Sequence, residues 1–302
     1  MRICSLLPGA TEIAFALGLG DEIVGVTHEC DYPPQARQKT VVVKPALDAA
    51  ASSGAIDRAV RERVRSGGPL YILDRTRLRR VRPDLILTQS LCDVCALDYN
   101  DVVAASQSLE PRPRVVGLAP RLLADVFDDI RRVGSAADRS AEADALVRRL
   151  ARRVAEVEAR TRSARRPRVA CLEWLDPLFS AGHWVPEMVE LAGGRNGLAE
   201  KGEPSRRVGW RSVVEFQPEV LILMPCGFDV ERTLAEARPL SRKPGWKELP
   251  AVAEGRVFAV DGGAYFSRPG PRLVDGLEIL AAIMHPDRFS CKIPPEAARK
   301  VS

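Results

Sequence analysis

The chain has no run of about 18 uninterrupted apolar residues, so the sequence predicts no membrane span. It holds only 3 histidines and 5% aromatic residues. Its 7 cysteines form no dense disulfide framework, and an odd number leaves at least one thiol unpaired. Unpaired thiols favour a reducing compartment. The 46% hydrophobic and 28% charged residues are ordinary for a globular protein, which excludes the disordered and collagen-like classes.

Lysine is also scarce, because 38 of the 45 basic residues are arginine. The net charge of +5 is mild, and the arginine clusters mix with acidic residues or recur at helical spacing. This pattern is typical of solvated helix faces, so we expect no nucleic-acid partner. The apolar stretch over residues 1–20 is interrupted by Pro8, Gly9 and Glu12, which makes it a poor signal-peptide core. The N-terminal pattern therefore predicts a cytoplasmic protein, and we expect a monomer.

Strand-like and helix-like segments alternate over the first 133 residues. Strands are predicted over residues 2–7, 22–27, 40–43, 84–89 and 114–118, and a helix is predicted over 122–133. Residues 45–75 fit this alternation less well and are interpreted as an insertion that contains a helix over 56–65. The β/α alternation predicts a doubly wound sheet.

Residues 138–165 contain no glycine or proline, and their apolar residues recur at spacings of three and four. This predicts one helix of roughly 40 Å. After Pro167 the alternation restarts, with strands over 168–174, 219–225 and 256–261 and a final helix over 272–284. We therefore predict an α/β fold of two doubly wound, Rossmann-like lobes, residues 1–134 and 167–290, joined by a connecting helix in 135–166. Residues 291–302 form a tail that is expected to fray.

Ligands of open α/β sheets bind beyond the carboxyl ends of the strands. The segments that follow the predicted strands hold two of the three histidines and four of the seven cysteines. Because these side chains would face one another from both lobes, the sequence predicts a shared ligand cleft between the lobes.

Several segments carry a family resemblance: SLLPGATEI at 5–13, ALGLG at 16–20, RPDLIL at 82–87, FSAGH at 179–183 and ELAGGRN at 190–196. With the long helix, they resemble the helical-backbone (class III) solute-binding proteins, which bind cobalamin, ferric siderophores or haem for ABC importers. The resemblance covers about residues 1–287 and is strongest to the cobalamin-binding branch. It implies a binding protein and no enzyme. It also implies an ABC permease partner, and a periplasmic or extracellular location, if the true start lies upstream.

The resemblance further implies a corrinoid, such as cobalamin, or a related metal complex, held between the lobes as a small-molecule ligand. Flat, mostly apolar ligands suit aromatic walls. The candidate ligand-binding residues are His28, Glu29, Gln89, Glu173, Trp174, Asp176, His183, Trp184, Phe228, Tyr265 and Phe266. Either His28 or His183 is a candidate axial ligand for the metal or a hydrogen-bonding residue of the cleft.

An alternative interpretation is a cytosolic metalloprotein or enzyme on the same fold. Imidazole and thiolate ligands suit zinc or iron. The candidate metal ligands are His28, Cys30, Cys92, Cys95, His183 and Cys226. A set of reduced thiols packed near the cleft explains the same pattern, and the sequence leaves both interpretations open.

Overall fold

Two β-sheets, each covered by helices, organise the chain. A computed structural model describes residues 1–90, 97–289 and 293–301. The strands of the first sheet are β1 (Ile3–Ser5), β2 (Ile23–Thr27), β3 (Thr40–Pro45), β4 (Tyr71–Leu73), β5 (Leu85–Gln89) and β6 (Arg114–Leu118). Those of the second are β7 (Arg168–Leu175), β8 (Leu178–Ser180), β9 (Arg195–Asn196), β10 (Arg206–Arg207), β11 (Val220–Leu223), β12 (Val257–Val260) and β13 (Ala298–Lys300).

The helices lie between the strands and on both sheet faces. In the first lobe they are α1 (Pro8–Ala16), α2 (Ser53–Arg65), α3 (Arg75–Val81), α4 (Tyr99–Gln107) and α5 (Leu123–Ala136). The long helix α6 (Ser140–Thr161) follows. The second lobe contains α7 (Val185–Leu191), α8 (Trp210–Phe216), α9 (Val230–Ala237), α10 (Pro250–Ala253), α11 (Gly262–Tyr265) and α12 (Leu273–Met284). Within the described ranges, no helix is both long and apolar enough to span a bilayer.

The first sheet has the strand order β4-β3-β2-β1-β5-β6, and only β4 runs antiparallel to its neighbour. Ile3 of β1 packs into the core on one face, and the next residue, Cys4, packs into the core on the other. Strands buried on both faces need near-continuous apolar sequence, and β1 and β5 have it. The predicted doubly wound lobe is confirmed.

The second sheet has the order β10-β8-β7-β11-β12-β13, with β9 beside β7. Its centre, β7-β11-β12, is parallel, whereas β8 and β13 run antiparallel. The pairing of Lys300 with Phe258 and of Ala298 with Val260 fixes the C-terminal segment to the sheet edge. The prediction that the tail frays is therefore wrong for Ala298–Lys300.

Helix α6 contributes to the cores of both lobes. Its N-terminal part, including Leu146 and Leu150, packs in the first core, while Val157 packs in the second. Arg153 adds ion pairs of 2.5 Å to Asp275 and 2.7 Å to Glu278 of α12. The helix has 22 residues, and it is shorter at both ends than the predicted range of 138–165. The exact lobe limits assigned from the sequence stay a prediction.

The insertion after β3 is larger than a helix alone. Helix α2 begins at Ser53, three residues before its predicted start, because the Ser52 side chain accepts a hydrogen bond from the Ala55 amide at 3.4 Å. The chain then returns as β4 along the edge of the sheet. The start of α2 lies against the second lobe, where it forms part of the site.

Candidate functional site

Four charged residues join the lobes on one side of the cleft. Glu12 of α1 accepts two hydrogen bonds from Arg272, at 2.9 Å from Nε and 2.6 Å from Nη2. Arg268 bonds to Asp31 and lies 3.9 Å from Glu12. We call Glu12, Asp31, Arg268 and Arg272 the ion-pair cluster. Its two positive and two negative charges offset one another, as burial requires.

The backbone of the two lobes also meets at this cluster. A Cβ atom at Gly9 would overlap the carbonyl oxygen of Pro269 in the second lobe. The Arg272 guanidinium stacks 3.9 Å from the centre of the Tyr32 ring, which is 45% exposed. Glycine is therefore required at position 9 for the observed approach of the lobes.

A second contact crosses the lobes through residues 51–54, which we call the strap. The Ser53 hydroxyl donates to Glu236 at 2.6 Å, and Arg232 donates to the Ala51 carbonyl at 2.7 Å. The Trp174 indole N–H donates to the Ser53 carbonyl at 3.2 Å. The strap thus holds the end of β7 and helix α9 of the second lobe against the first.

Cys226 lies near charged residues of both lobes, and its amide donates to the Glu173 carbonyl at 3.0 Å. Burial, together with Glu173 and Glu29, raises the pKa of the Cys226 thiol to about 12, while Ser267 and Arg268 oppose the rise. The residue still exposes surface to solvent. Glu29 and Asp31 come from the first lobe, while Glu173, Cys226 and Arg268 come from the second. The structure therefore brings the carboxyl ends of both sheets to one cleft.

His28 and Gln89 occupy the first-lobe side at the ends of β2 and β5. The His28 ring has Nδ1 3.3 Å from the Val43 carbonyl and Nε2 3.7 Å from a Glu29 carboxylate oxygen. Gln89 is buried. His28 is partly exposed, so it can present an edge of its ring to a ligand.

Trp174 and Phe228 contact each other on the second-lobe side, with ring centres 5.3 Å apart. Arg232 stacks 3.6 Å from the centre of the Phe228 ring, and Phe228 is only 3% exposed. Phe228 therefore supports Trp174 and offers little surface of its own. Asp176 is exposed and Tyr265 is half-buried.

Trp184 and Phe266 do not line the cleft, contrary to the sequence-based expectation. Both lie in the core of the second lobe, 6% and 2% exposed. The Trp184 indole N–H donates to the Phe266 carbonyl at 2.8 Å, so its one polar atom is satisfied inside the protein. These aromatic side chains stabilise the lobe by burying apolar surface.

His183 is displaced from the predicted junction by a hairpin. Strands β7 and β8 pair antiparallel, so the chain turns back and the Ala181 amide bonds to the Cys171 carbonyl. Burial lowers the pKa of His183, and the nearby Arg121 lowers it further, while Glu203 opposes this. His183 therefore lies beside a first-lobe loop and is neutral at pH 7.

The described residues do not assemble the predicted metal site. Cys30 is buried, and its sulfur lies 3.0 Å from the Thr11 hydroxyl and 3.2 Å from that of Thr27. Burial raises the pKa of Cys30, which favours the protonated thiol over the thiolate that binds metal. Over residues 1–90, 97–289 and 293–301, no three His, Cys, Asp or Glu side chains are grouped to hold a metal ion. Cys92 and Cys95 lie outside the described residues.

Sequence reasoning missed the ion-pair cluster and Tyr32. Asp31 and Tyr32 lie in the loop after β2, and Arg268 lies between β12 and α12, so their positions after the strands offered a signal. Glu12 and Arg272 are 260 residues apart, and nothing in either local sequence indicates the pairing.

A family model described as "Periplasmic binding protein" matches residues 3–263. The chain belongs to this periplasmic binding protein family. The expected solute-binding family is confirmed, as is the expectation that the chain is a binding protein and no enzyme.

Relatives cover nearly the whole chain. An uncharacterized ABC transporter substrate-binding lipoprotein, YvrC, of Bacillus subtilis is 27% identical over 95% of this chain and 81% of its own length. A vitamin B12-binding protein of Vibrio cholerae is 25% identical over 92% of this chain and 86% of its own length.

Solved structures confirm the two-lobe α/β fold. The periplasmic vitamin B12 binding protein BtuF of Vibrio cholerae superposes with a TM-score of 0.68 at 23% identity, over 94% of this chain and 96% of its own. The periplasmic heme-binding protein RhuT of Roseiflexus superposes with a TM-score of 0.71 at 22% identity, over 94% and 98%. The fold is thus shared by proteins named for different ligands, so the ligand must be argued from the cleft.

Proposed function

We propose that this periplasmic binding protein holds a corrinoid, of the cobalamin type, in the cleft between its lobes. The observation that carries the proposal is the pairing of both cleft arginines. Arg268 and Arg272 are bound to Asp31 and Glu12 across the lobes. Neither guanidinium is therefore available to neutralise an anionic ligand without breaking a buried ion pair.

The remaining charges of the cleft favour an uncharged rim on the ligand. Glu29 and Glu173 both lie close enough to Cys226 to raise its pKa. The propionates of haem and the catecholates of many ferric siderophores are anionic, so these carboxylates would repel them. A corrinoid carries amides around its rim, and amide N–H groups donate well to carboxylates. The charge pattern therefore supports a corrinoid over haem.

The accessible aromatic rings support the same class of ligand. Tyr32 is exposed beside the ion-pair cluster, and Trp174 and Tyr265 are partly exposed. Large flat ligands gain contact area from such rings. The proposed ligand-binding set is His28, Glu29, Tyr32, Gln89, Glu173, Trp174, Asp176 and Tyr265.

Retention of hydroxocobalamin tests the proposal. Purified protein is mixed with hydroxocobalamin or with haemin, desalted, and measured by UV–visible spectroscopy. We expect corrinoid to be retained at about one per chain, with little haem. Retention of haem instead would contradict the charge argument, and retention of neither would overturn the proposal.

Two tryptophan variants test where the ligand binds. Trp174→Ala removes a ring at the cleft and is expected to weaken corrinoid binding by about tenfold or more. Trp210→Ala is the matched control, because Trp210 stacks on Trp246 in the second lobe at a centre distance of 6.0 Å. Equal affinities of the two variants would place the ligand away from Trp174.

The cellular role that we propose is substrate binding for an ABC importer. One relative is named an ABC transporter substrate-binding lipoprotein, and the family is described as periplasmic. These names favour export over the cytoplasmic location predicted from the N-terminal pattern. Fractionation of the native host with immunoblotting tests this: protein outside the cytoplasmic membrane supports the transport role, and protein confined to the cytosol contradicts it.

A further inference from the structure

An arginine-lined cavity lies at the end of the first lobe opposite the cleft. It is an open pocket of about 680 Å³ on the surface, and it is lined by the exposed residues Arg2, Thr76, Arg79, Arg80 and Arg82. Arg2 precedes β1, and Arg82 precedes β5, so the cavity lies at the amino ends of these parallel strands. The cleft, in contrast, lies at their carboxyl ends. The two sites are therefore separate.

The backbone around the cavity is fixed by specific contacts. Arg2 donates from Nε to the carbonyls of Val81 and Arg82, at 2.9 and 3.2 Å. These bonds cap the C-terminal end of α3. Arg82 itself has a φ of +41°, a left-handed conformation that is costly for a residue with a Cβ atom. Leu78 and Val81 of the same helix are buried, which anchors α3 beneath the cavity.

The cavity collects positive charges that have no acidic partner. Across residues 1–90, 97–289 and 293–301, no carboxylate lies within 4.0 Å of the guanidinium of Arg79, Arg80 or Arg82, whereas the neighbouring Arg77 pairs with Asp74 at 3.3 Å. Beside Arg2, Asp84 accepts a hydrogen bond from the Arg2 backbone amide at 2.7 Å. A helix C-terminus favours nearby cations, and like charges gathered around one pocket repel one another. A bound anion would offset that repulsion.

We propose that this cavity is a binding site for an anion that carries two or more phosphate-type charges. Guanidinium groups bind phosphate oxygens in a bidentate manner, and the Thr76 hydroxyl supplies a further donor. A free diphosphate and the headgroup of an anionic phospholipid present the same chemistry to the four arginines.

Calorimetric titration with sodium pyrophosphate at low ionic strength tests the site. The double variant Arg79→Ala/Arg80→Ala is expected to bind pyrophosphate at least tenfold more weakly than the unaltered chain. Arg148→Ala/Arg149→Ala is the matched control, because it removes the same charge from an adjacent, exposed arginine pair on α6. Corrinoid retention and the melting temperature of both variants report on the fold.

Vesicle co-sedimentation distinguishes the two sources of the anion. If vesicles that contain cardiolipin, whose headgroup carries two phosphates, bind the unaltered chain and release it on addition of pyrophosphate, the headgroup is supported. If pyrophosphate binds and the vesicles do not, a free anion is supported. The proposal is overturned if the unaltered chain binds neither probe, or if Arg79→Ala/Arg80→Ala binds as tightly as Arg148→Ala/Arg149→Ala.

Discussion

At the scale of single residues, burial sets the chemistry of the titratable groups. Asp129 of α5 is 4% exposed. One of its carboxylate oxygens lies 3.3 Å from Arg132, and the other has no hydrogen-bond partner among the described residues. Burial raises the pKa of Asp129 from its ordinary value of 3.8 to about 7, with Arg132 opposing and Asp125 and Asp128 adding to the rise. The ionised form is therefore disfavoured in the folded chain.

This shift predicts how stability depends on pH. The pKa of Asp129 is higher in the folded chain than in the unfolded chain. Its contribution to the free energy of unfolding is therefore complete below about pH 4 and is lost as the pH rises through about 7. Asp129→Asn, which cannot ionise, is expected to raise the free energy of unfolding at pH 8 by about 1–2 kcal/mol and to change it little at pH 4. Urea unfolding at both pH values measures the effect. Asp128→Asn is the control, since Asp128 is exposed, and an equal gain from both variants would contradict the argument.

The thiol of Cys226 reports on the cleft. Its pKa of about 12 leaves almost no thiolate at pH 7.5, and thiolate is the reactive form. We expect iodoacetamide to modify Cys226 at less than about a tenth of the rate of an unperturbed thiol. Saturating hydroxocobalamin should slow the reaction further if the ligand covers this residue. Peptide mass spectrometry measures the rate at Cys226 alone, and labelling unaffected by bound corrinoid would place the ligand elsewhere.

At the scale of elements, the strap turns an insertion into part of the cleft. Residues 51–54 reach the second lobe through the Ser53–Glu236 hydrogen bond and the Arg232–Ala51 bond. In each of these two hydrogen bonds one partner is charged. A bond of this kind contributes about 1.5–3 kcal/mol to stability. The strap therefore closes one edge of the cleft with only a few bonds, which local fluctuations can break.

Ser53→Ala is expected to loosen the strap without unfolding the lobes. The variant loses the 2.6 Å bond to Glu236, which should raise amide hydrogen exchange over residues 51–56 by about tenfold or more. Corrinoid association and dissociation should both accelerate. Ser66→Ala, at the far end of α2, is the control, because its hydroxyl donates to the Arg63 carbonyl of its own helix at 3.0 Å. Exchange at the strap that is unchanged by Ser53→Ala would show that other contacts hold it.

The elements that the sequence predicted best are those with long periodic patterns. Helix α6 was predicted from its apolar spacing, although both ends were placed too far out. The missed strands β4, β8 and β13 have only three residues each, too few for a period to show. The predicted cleft aromatic residues divide into Trp174 at the surface and Trp184 in the core, and local sequence cannot separate them because tertiary packing decides which ring is buried. The Glu12–Arg272 pair depends in the same way on the arrangement of the whole chain.

At the scale of the whole molecule, connections at several places hold the lobes in their relative position. Helix α6 shares its apolar face between both cores, the strap closes one edge of the cleft, and the ion-pair cluster closes the other. Glu12 and the two arginines of the cluster are largely buried, and their charges are paired across the lobes. If the lobes moved apart, Glu12 and Arg272 would each lose the partner that offsets its charge. The width of the cleft is therefore kept unless that ion pair breaks.

The close approach at Gly9 allows this arrangement to be tested directly. Gly9→Ala adds one methyl group at the point where the Pro269 carbonyl of the other lobe already lies. The two nearest atoms, the carbonyl oxygen and carbonyl carbon of Pro269, belong to the backbone. The clash must therefore be relieved by moving the lobes apart, which lengthens the Glu12–Arg272 hydrogen bonds. We expect corrinoid affinity to fall by about tenfold or more and the melting temperature to drop by several degrees.

Gly209→Ala is the matched control, since a Cβ atom there meets no atom within 4 Å. Small-angle X-ray scattering should show a more open particle for Gly9→Ala alone. If Gly9→Ala instead binds corrinoid like the control, the lobes accommodate the methyl group without moving, and the width of the cleft is not set at this contact.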